Sequence, residues 1–208
     1  MKSSHTLLPS IILVVIVSLT TLSGCAMVDQ KIGLNYSPTE QSFGQHDGEI
    51  FISRTESTPP ARNSRGEWII GSLNNVHGVH QADLLADRSL GDWITDALTL
   101  ELKKTGYSVS GKPVMPSEAP LGIQLGIINA SMNSNKGLVS TDTRQEIKFT
   151  VDLFQRGVKT KSFTVASRNN QTFALSASKE EQEKIMLQSL QDSMLQIIPE
   201  INALTEKK

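Results

Sequence analysis

Two settings in this chain place reactive side chains where chemistry is conceivable. The first is Cys25, the single cysteine among 208 residues, which directly follows Leu22, Ser23 and Gly24. The second is the run His77, His80 and Asp83, whose steps of three would gather two imidazoles and a carboxylate on one face of a helix. A zinc site needs three or four convergent ligands with supporting partners, whereas Gly78 and the neighbouring asparagines favour a solvated loop. The expectation is that His77, His80 and Asp83 hold no metal. Glu180, Glu181 and Glu183 read as favourable charges in the first turns of a helix rather than as an acid and base pair. Neither a Gly-x-Ser-x-Gly elbow, a Gly-x-Gly-x-x-Gly fingerprint nor a Walker loop occurs.

The stretch before Cys25 explains its setting. Lys2 and His5 precede an apolar run over residues 7–22, broken only by Ser, Thr and Pro9. That run is shorter than the roughly 20 residues a spanning helix needs, and it ends in small residues, as a processed export signal does. Leu22-Ser23-Gly24-Cys25 resembles a bacterial lipobox. The resemblance implies cleavage between Gly24 and Cys25, with a covalent lipid on Cys25 as the only non-protein group and no other cofactor. Residues 1–24 are then a signal peptide, 25–30 a lipid-proximal tether, and 31–208 a single αβ domain. A thioether at Cys25 leaves no free thiol and excludes cysteine nucleophilic catalysis; with the catalytic and nucleotide-binding motifs above also missing, the chain reads as noncatalytic. With one cysteine no internal disulfide forms, and the domain rests on core burial alone.

Composition narrows the partners. A formal net charge of −1 and 20% charged residues supply no basic stripe, which argues against nucleic acid. Lys148, Lys159 and Lys161 fall on the exposed side of adjacent strands, where lysines discourage edge pairing. The partners expected are the membrane, through the lipid, and an envelope protein.

The elements follow from periodicity. Alternation over 31–36 (Ile32, Leu34, Tyr36) predicts a short edge strand, and Ile50 and Ile52 opposite Phe51 predict a central one over 49–54. Residues 55–66, with Pro59-Pro60, read as an exposed connection, 68–73 as a strand with Trp68 and Ile70 on one face, and 74–83 as a loop. Ser89, with Asp92 three residues on, opens a helix that Gly106 closes. Its apolar stripe is Leu90, Trp93, Ile94, Ala97, Leu98 and Leu102, with Glu101, Lys103 and Lys104 off it, and the Trp93 indole N–H is expected to find a carbonyl. A short strand over 107–110 follows. A meander then runs over 121–132 (Ile123, Leu125 and Ile127 on one face), 144–154 (Ile147, Phe149, Val151, Leu153) and 158–169 (Phe163, Val165 inward), with a turn at Gln155-Arg156-Gly157. Ser178 and Glu181 have capping-box spacing at the head of a last helix, in which Pro199 predicts a kink or break at Ile198. The order β, β, β, α, β, β, β, β, α predicts an α+β fold. It is a two-layer αβ sandwich with a mainly antiparallel or mixed sheet and two amphipathic helices on one face.

Leu34-Asn35-Tyr36-Ser37-Pro38, Ile70-Gly71 with Asn75 and Gly78, and Asp92-Trp93-Ile94 with Ala97-Leu98, Glu101-Leu102 and Gly106-Tyr107 resemble the YajG-type family of bacterial envelope lipoproteins. The family is largely uncharacterised, so the resemblance implies an exported, lipid-anchored αβ domain acting as an interaction or scaffold module, and it carries over no catalytic residue. Ala26 in place of Asp after the cysteine implies sorting to the outer membrane of a Gram-negative bacterium, with the domain in the periplasm. A looser similarity, in element order only, is to the lipopolysaccharide-assembly lipoproteins that plug an outer-membrane barrel. It implies, as an alternative, an accessory of an outer-membrane assembly machine; a carrier of a small ligand or metal is a separate alternative, which requires a concave apolar pocket or stoichiometric zinc binding.

Overall fold

The computed structural model describes residues 28–55 and 61–205, so residues 1–24, Cys25 and the Pro59-Pro60 connection lie outside the described residues. Its elements are β1 (Gln30–Ile32), β2 (Glu49–Arg54), β3 (Trp68–Asn74), β4 (His80–Ala86), α1 (Leu90–Lys104), β5 (Ser108–Gly111), β6 (Leu121–Lys136), β7 (Ser140–Gln155), β8 (Val158–Ala174) and α2 (Lys179–Thr205). The fold is α+β, a curled mixed sheet with both helices packed on it.

Strand β6 is the spine. One edge pairs antiparallel with β7 along almost its whole length, and β7 pairs in turn with β8. The other edge forks. Its first half, from Leu121 to Leu125, takes β2 in parallel and through it β5, while its second half, from Met132 to Asn135, takes β3 in parallel and through it β4 and β1. Between the halves the register with β7 shifts from Gly126 to Asn129, and Ile127 adopts φ 46°. A bulge of this kind bends its strand and lets one edge serve two branches.

The expected helix signals are present. The Ser89 side chain accepts from the Asp92 amide, and Asp92 is held below the usual carboxylate range by its bonds to Arg54 and Ser89 and by the charges of Arg54 and Arg88, against the opposing effect of burial. Gly106 (φ 101°) donates to the Lys103 carbonyl and Tyr107 to that of Leu102, the paired bonds of a Schellman stop. Reciprocal bonds join Ser178 and Glu181 at the head of α2. Arg156 (φ 50°) and Gly157 (φ 75°) turn β7 into β8 with both central residues left-handed, as a type I′ hairpin requires. The core is one cluster in which Trp93, Leu98, Ile123, Phe149, Val151 and Ile197 are buried, each such side chain contributing about 1.5–3 kcal/mol.

Several expectations are corrected. Residues 80–86 form a strand, not a loop, because β3 and β4 pair antiparallel across a short turn at Asn75 and Gly78. Regular strand structure in β1 covers only Gln30–Ile32; Leu34 is still buried, but its amide bonds the Asp87 carboxylate instead of a neighbouring strand. On β3 a register shift at Ile69 and Gly71 leaves Ile70 buried and Trp68 only partly so, with Arg62 stacked over the indole at 3.5 Å. Ile127 is exposed, since the β6 bulge turns it off the face of Ile123 and Leu125. Glu101 belongs to the buried stripe of α1, one step before Leu102. Helix α2 runs unbroken through Pro199, which faces solvent while Ile197, Ile198 and Ile201 stay buried on either side of it. Their packing offsets the roughly 3 kcal/mol that an interior proline costs a helix.

Candidate functional site

The two ends of the sheet differ in chemistry. At the end where β2, β5 and β6 begin and β7 and α2 finish, an open cleft of about 540 Å³ is lined by Asp47, Glu49, Tyr107, Leu121, Arg156 and Thr205, among others. Local sequence places each one. The Schellman stop delivers Tyr107 into the floor, Gly48 at φ 135° turns Asp47 and Glu49 to the rim, and the left-handed Arg156 sits at the tip of the β7–β8 hairpin. Tyr107 is buried, its hydroxyl 3.2 Å from the Asn202 amide oxygen and 3.1 Å from the Thr205 hydroxyl, and the His46 ring stacks on it at 5.6 Å. Asn202 in turn donates to the Phe43 carbonyl at 3.2 Å. The floor is therefore fixed, while Asp47, Glu49 and Arg156 are exposed and screened by water. The cleft offers two carboxylates and a guanidinium to a polar surface. It lacks the enclosed apolar walls that a small-ligand carrier uses.

Elsewhere the buried polar groups have structural work. Glu101 accepts from the Tyr36 hydroxyl at 2.5 Å, the Thr39 amide at 2.6 Å and the Thr39 hydroxyl at 3.3 Å. The Trp93 indole N–H donates to the Asn35 carbonyl at 3.1 Å, which is the carbonyl partner expected for it. Gln191 of α2 donates to the Ser37 carbonyl, and Glu183 accepts from the Gly33 amide at 2.7 Å. The segment that follows β1 is thus strapped to both helices. On the inward face of β7, Ile147, Phe149, Val151 and Leu153 give way toward the other end to Thr141, Thr143 and Gln145. The Gln145 amide is buried without a protein partner among the described residues, a situation ordered water normally resolves.

The residues singled out from sequence scatter. His80 and Asp83 meet at 2.8 Å on the exposed face of β4, because a register shift opposite Leu73 and Asn74 inserts Gln81 and brings positions three apart onto one side. His77 stays in the preceding turn, and no group of three or more His, Cys, Asp or Glu among the described residues is arranged to hold a metal ion. Glu181 caps α2, Glu183 bonds the strap, and Lys159 pairs with Asp152 at 2.7 Å while Lys161 pairs with Glu200. Lys148 is exposed. Sequence reasoning missed the cleft, because Asp47, Glu49 and Arg156 lie in or beside loops with no periodic signal. Cys25 and Gly24 lie outside the described residues.

No helix among the described residues is long and apolar enough to cross a membrane. No family model and no curated protein matches the chain. Among solved structures, the chain is similar to a DUF330-family protein of Xanthomonas campestris, at 10% identity over 81% of this chain and 93% of that one, with a TM-score of 0.46. It is also similar to a minor lipoprotein of Acinetobacter baumannii, at 18% identity over 65% and 91% and a TM-score of 0.41. For the rare lipoprotein B of Shewanella oneidensis the values are 11%, 65%, 98% and 0.36.

Proposed function

We propose that this chain is a lipid-anchored, noncatalytic module of a Gram-negative envelope, tethered through Cys25 to the outer membrane and presenting its domain to a protein partner in the periplasm. The observation that carries this reading is the sequence Leu22-Ser23-Gly24-Cys25 at the end of an apolar run too short to span. The polar, rigid-floored cleft supports partner recognition over catalysis, since its charged groups are exposed and its one buried hydroxyl-bearing aromatic, Tyr107, is already engaged. Confinement to a surface raises the effective concentration of a weakly binding partner, and anchoring by more than one acyl chain is stable where a single chain is marginal.

Two measurements test the reading. Mass analysis of the mature protein is expected to show diacylglycerol and acyl mass on Cys25, with the precursor accumulating under globomycin. Cys25→Ser is expected to abolish that mass and release the domain from the membrane fraction; an unmodified Cys25 in the wild-type protein refutes anchoring. For the partner, a photocrosslinking residue at Asp47 or Arg156 is expected to capture a discrete species in intact cells, and recovery of monomer alone refutes recognition through the cleft.

A further inference from the structure

Opposite the cleft, the far end of the sheet is apolar. Leu138 and Val139, in the β6–β7 turn, are 90% and 77% exposed, and Leu175, just past β8, is 70% exposed. They are neighbours: the Leu175 amide donates to the Val139 carbonyl at 3.2 Å, and its own carbonyl accepts from the Thr141 hydroxyl. Val76 and Val79, exposed in the β3–β4 turn, stand beside them, because β3 and β6 run parallel and end together with Asn74 bonded to Asn135. Together with Val28, 76% exposed, these make six of the ten large apolar side chains that stand out to solvent among the described residues. Scattered exposed apolar residues need no explanation, whereas a group at one end of a sheet does.

The chain's entry point says what covers it. Strand β1 is parallel to β4, with Gln30 opposite Leu84, and the Asp29 carboxylate accepts from the Asp83 amide at 3.0 Å. Followed backward from Gln30, the chain therefore heads toward His80 and the β3–β4 turn, which is the apolar end. From Val28 to Cys25 is three residues, a reach of about 10 Å even when fully extended. The polar interface of a bilayer is only about 5–8 Å deep on each side. A lipid on Cys25 thus holds this end, and not the cleft, against the membrane.

We propose that the Leu138, Val139 and Leu175 cluster, with Val76 and Val79, is a membrane-contacting edge that seats in the lipid interface and points the Asp47, Glu49 and Arg156 cleft away from the bilayer. This rests on the anchoring read above. The test uses the full-length lipidated protein in vesicles of phosphatidylethanolamine and phosphatidylglycerol. The acylated Cys25 leaves Leu138→Cys, Leu175→Cys or, at the opposite hairpin, Val158→Cys as the unique thiol for an environment-sensitive fluorophore. Labels at Leu138 and Leu175 are expected to be quenched by nitroxide-bearing lipid at least threefold more strongly than the label at Val158, and to be shielded from aqueous iodide. Equal iodide access at Leu138 and Val158 in lipidated protein overturns the orientation alone. A label shielded in isolated outer membranes yet open to iodide in protein-free vesicles means that a protein covers the edge, which also overturns it. An unmodified Cys25 by mass overturns the anchoring and the orientation together.

Discussion

Gly71→Ala is expected to destabilise the domain by about 3 kcal/mol or to prevent it from folding, read as a fall in the urea midpoint or as loss of soluble protein. A Cβ at this position would lie 1.7 Å from the Met132 carbonyl oxygen, 2.6 Å from its carbon and 2.9 Å from its nitrogen. All three are backbone atoms of β6, so no side chain can swing aside. Gly71 is also where β3 resumes pairing after its register shift and where β3 first meets β6. A methyl group there separates the β3, β4 and β1 branch from the spine. Gly111→Ala supplies the control, since nothing lies within 4 Å of its added Cβ, and its unfolding free energy from the same titration should change by no more than a few tenths of a kcal/mol. Equal behaviour of the two variants would refute the close-approach argument.

Glu101→Ala is expected to cost about 3 kcal/mol, because it leaves the Tyr36 hydroxyl and the buried Thr39 amide without their acceptor. Glu101→Gln keeps an oxygen for both donors and loses only the charge assistance, so about 1 kcal/mol is expected. Urea titration of the two variants separates the roles of shape and charge. The same site predicts an alkaline dependence. Burial, the bond to Glu101 and the nearby negative charge of Glu101 all push the Tyr36 phenol above its ordinary value of 10.0. Above about pH 10 the unfolded chain releases a proton that the folded chain keeps, so this contribution is fully present below that pH and falls away as pH rises. Tyr36→Phe should flatten the decline of the urea midpoint above pH 10; an unchanged slope would show that Tyr36 is not its source.

Much of this architecture is legible in the sequence wherever a local rule has a local cause. Ser89 and Gly106 bound α1, Ser178 and Glu181 open α2, and the alternation from Ile147 to Leu153 marks the buried face of β7. The failures have causes of their own. Strand β4 is hidden because the extra Gln81 breaks the two-residue period and because His80 and Gln81 face water. The full length of β7 is hidden because its inward residues beyond Ile147 are Gln145, Thr143 and Thr141, which read as polar and are buried all the same. Glu101 looks like surface by residue type, although its position on the helix puts it inside, where the strap supplies donors from far away in sequence. The cleft and the apolar end depend on which strand ends lie side by side, and parallel pairings such as β2 with β6 and β3 with β6 leave no mark in the local pattern.

The fork in β6 has a bearing on how the chain assembles. The β6–β7 and β7–β8 pairings join strands adjacent in sequence through tight turns, so little chain entropy is spent in closing them. Strands β2 and β3 have no such local partner on their β6 side and must wait for a strand that begins only at Leu121. The C-terminal hairpins are thus the natural nucleus, onto which both N-terminal branches add as long-range closures, the step that slows folding in chains dominated by distant contacts. During synthesis the edges of β2 and β3 that face β6 therefore stay open until β6, Leu121–Lys136, has emerged, although β3 can already pair with β4, and that is the interval in which a chaperone has something to hold.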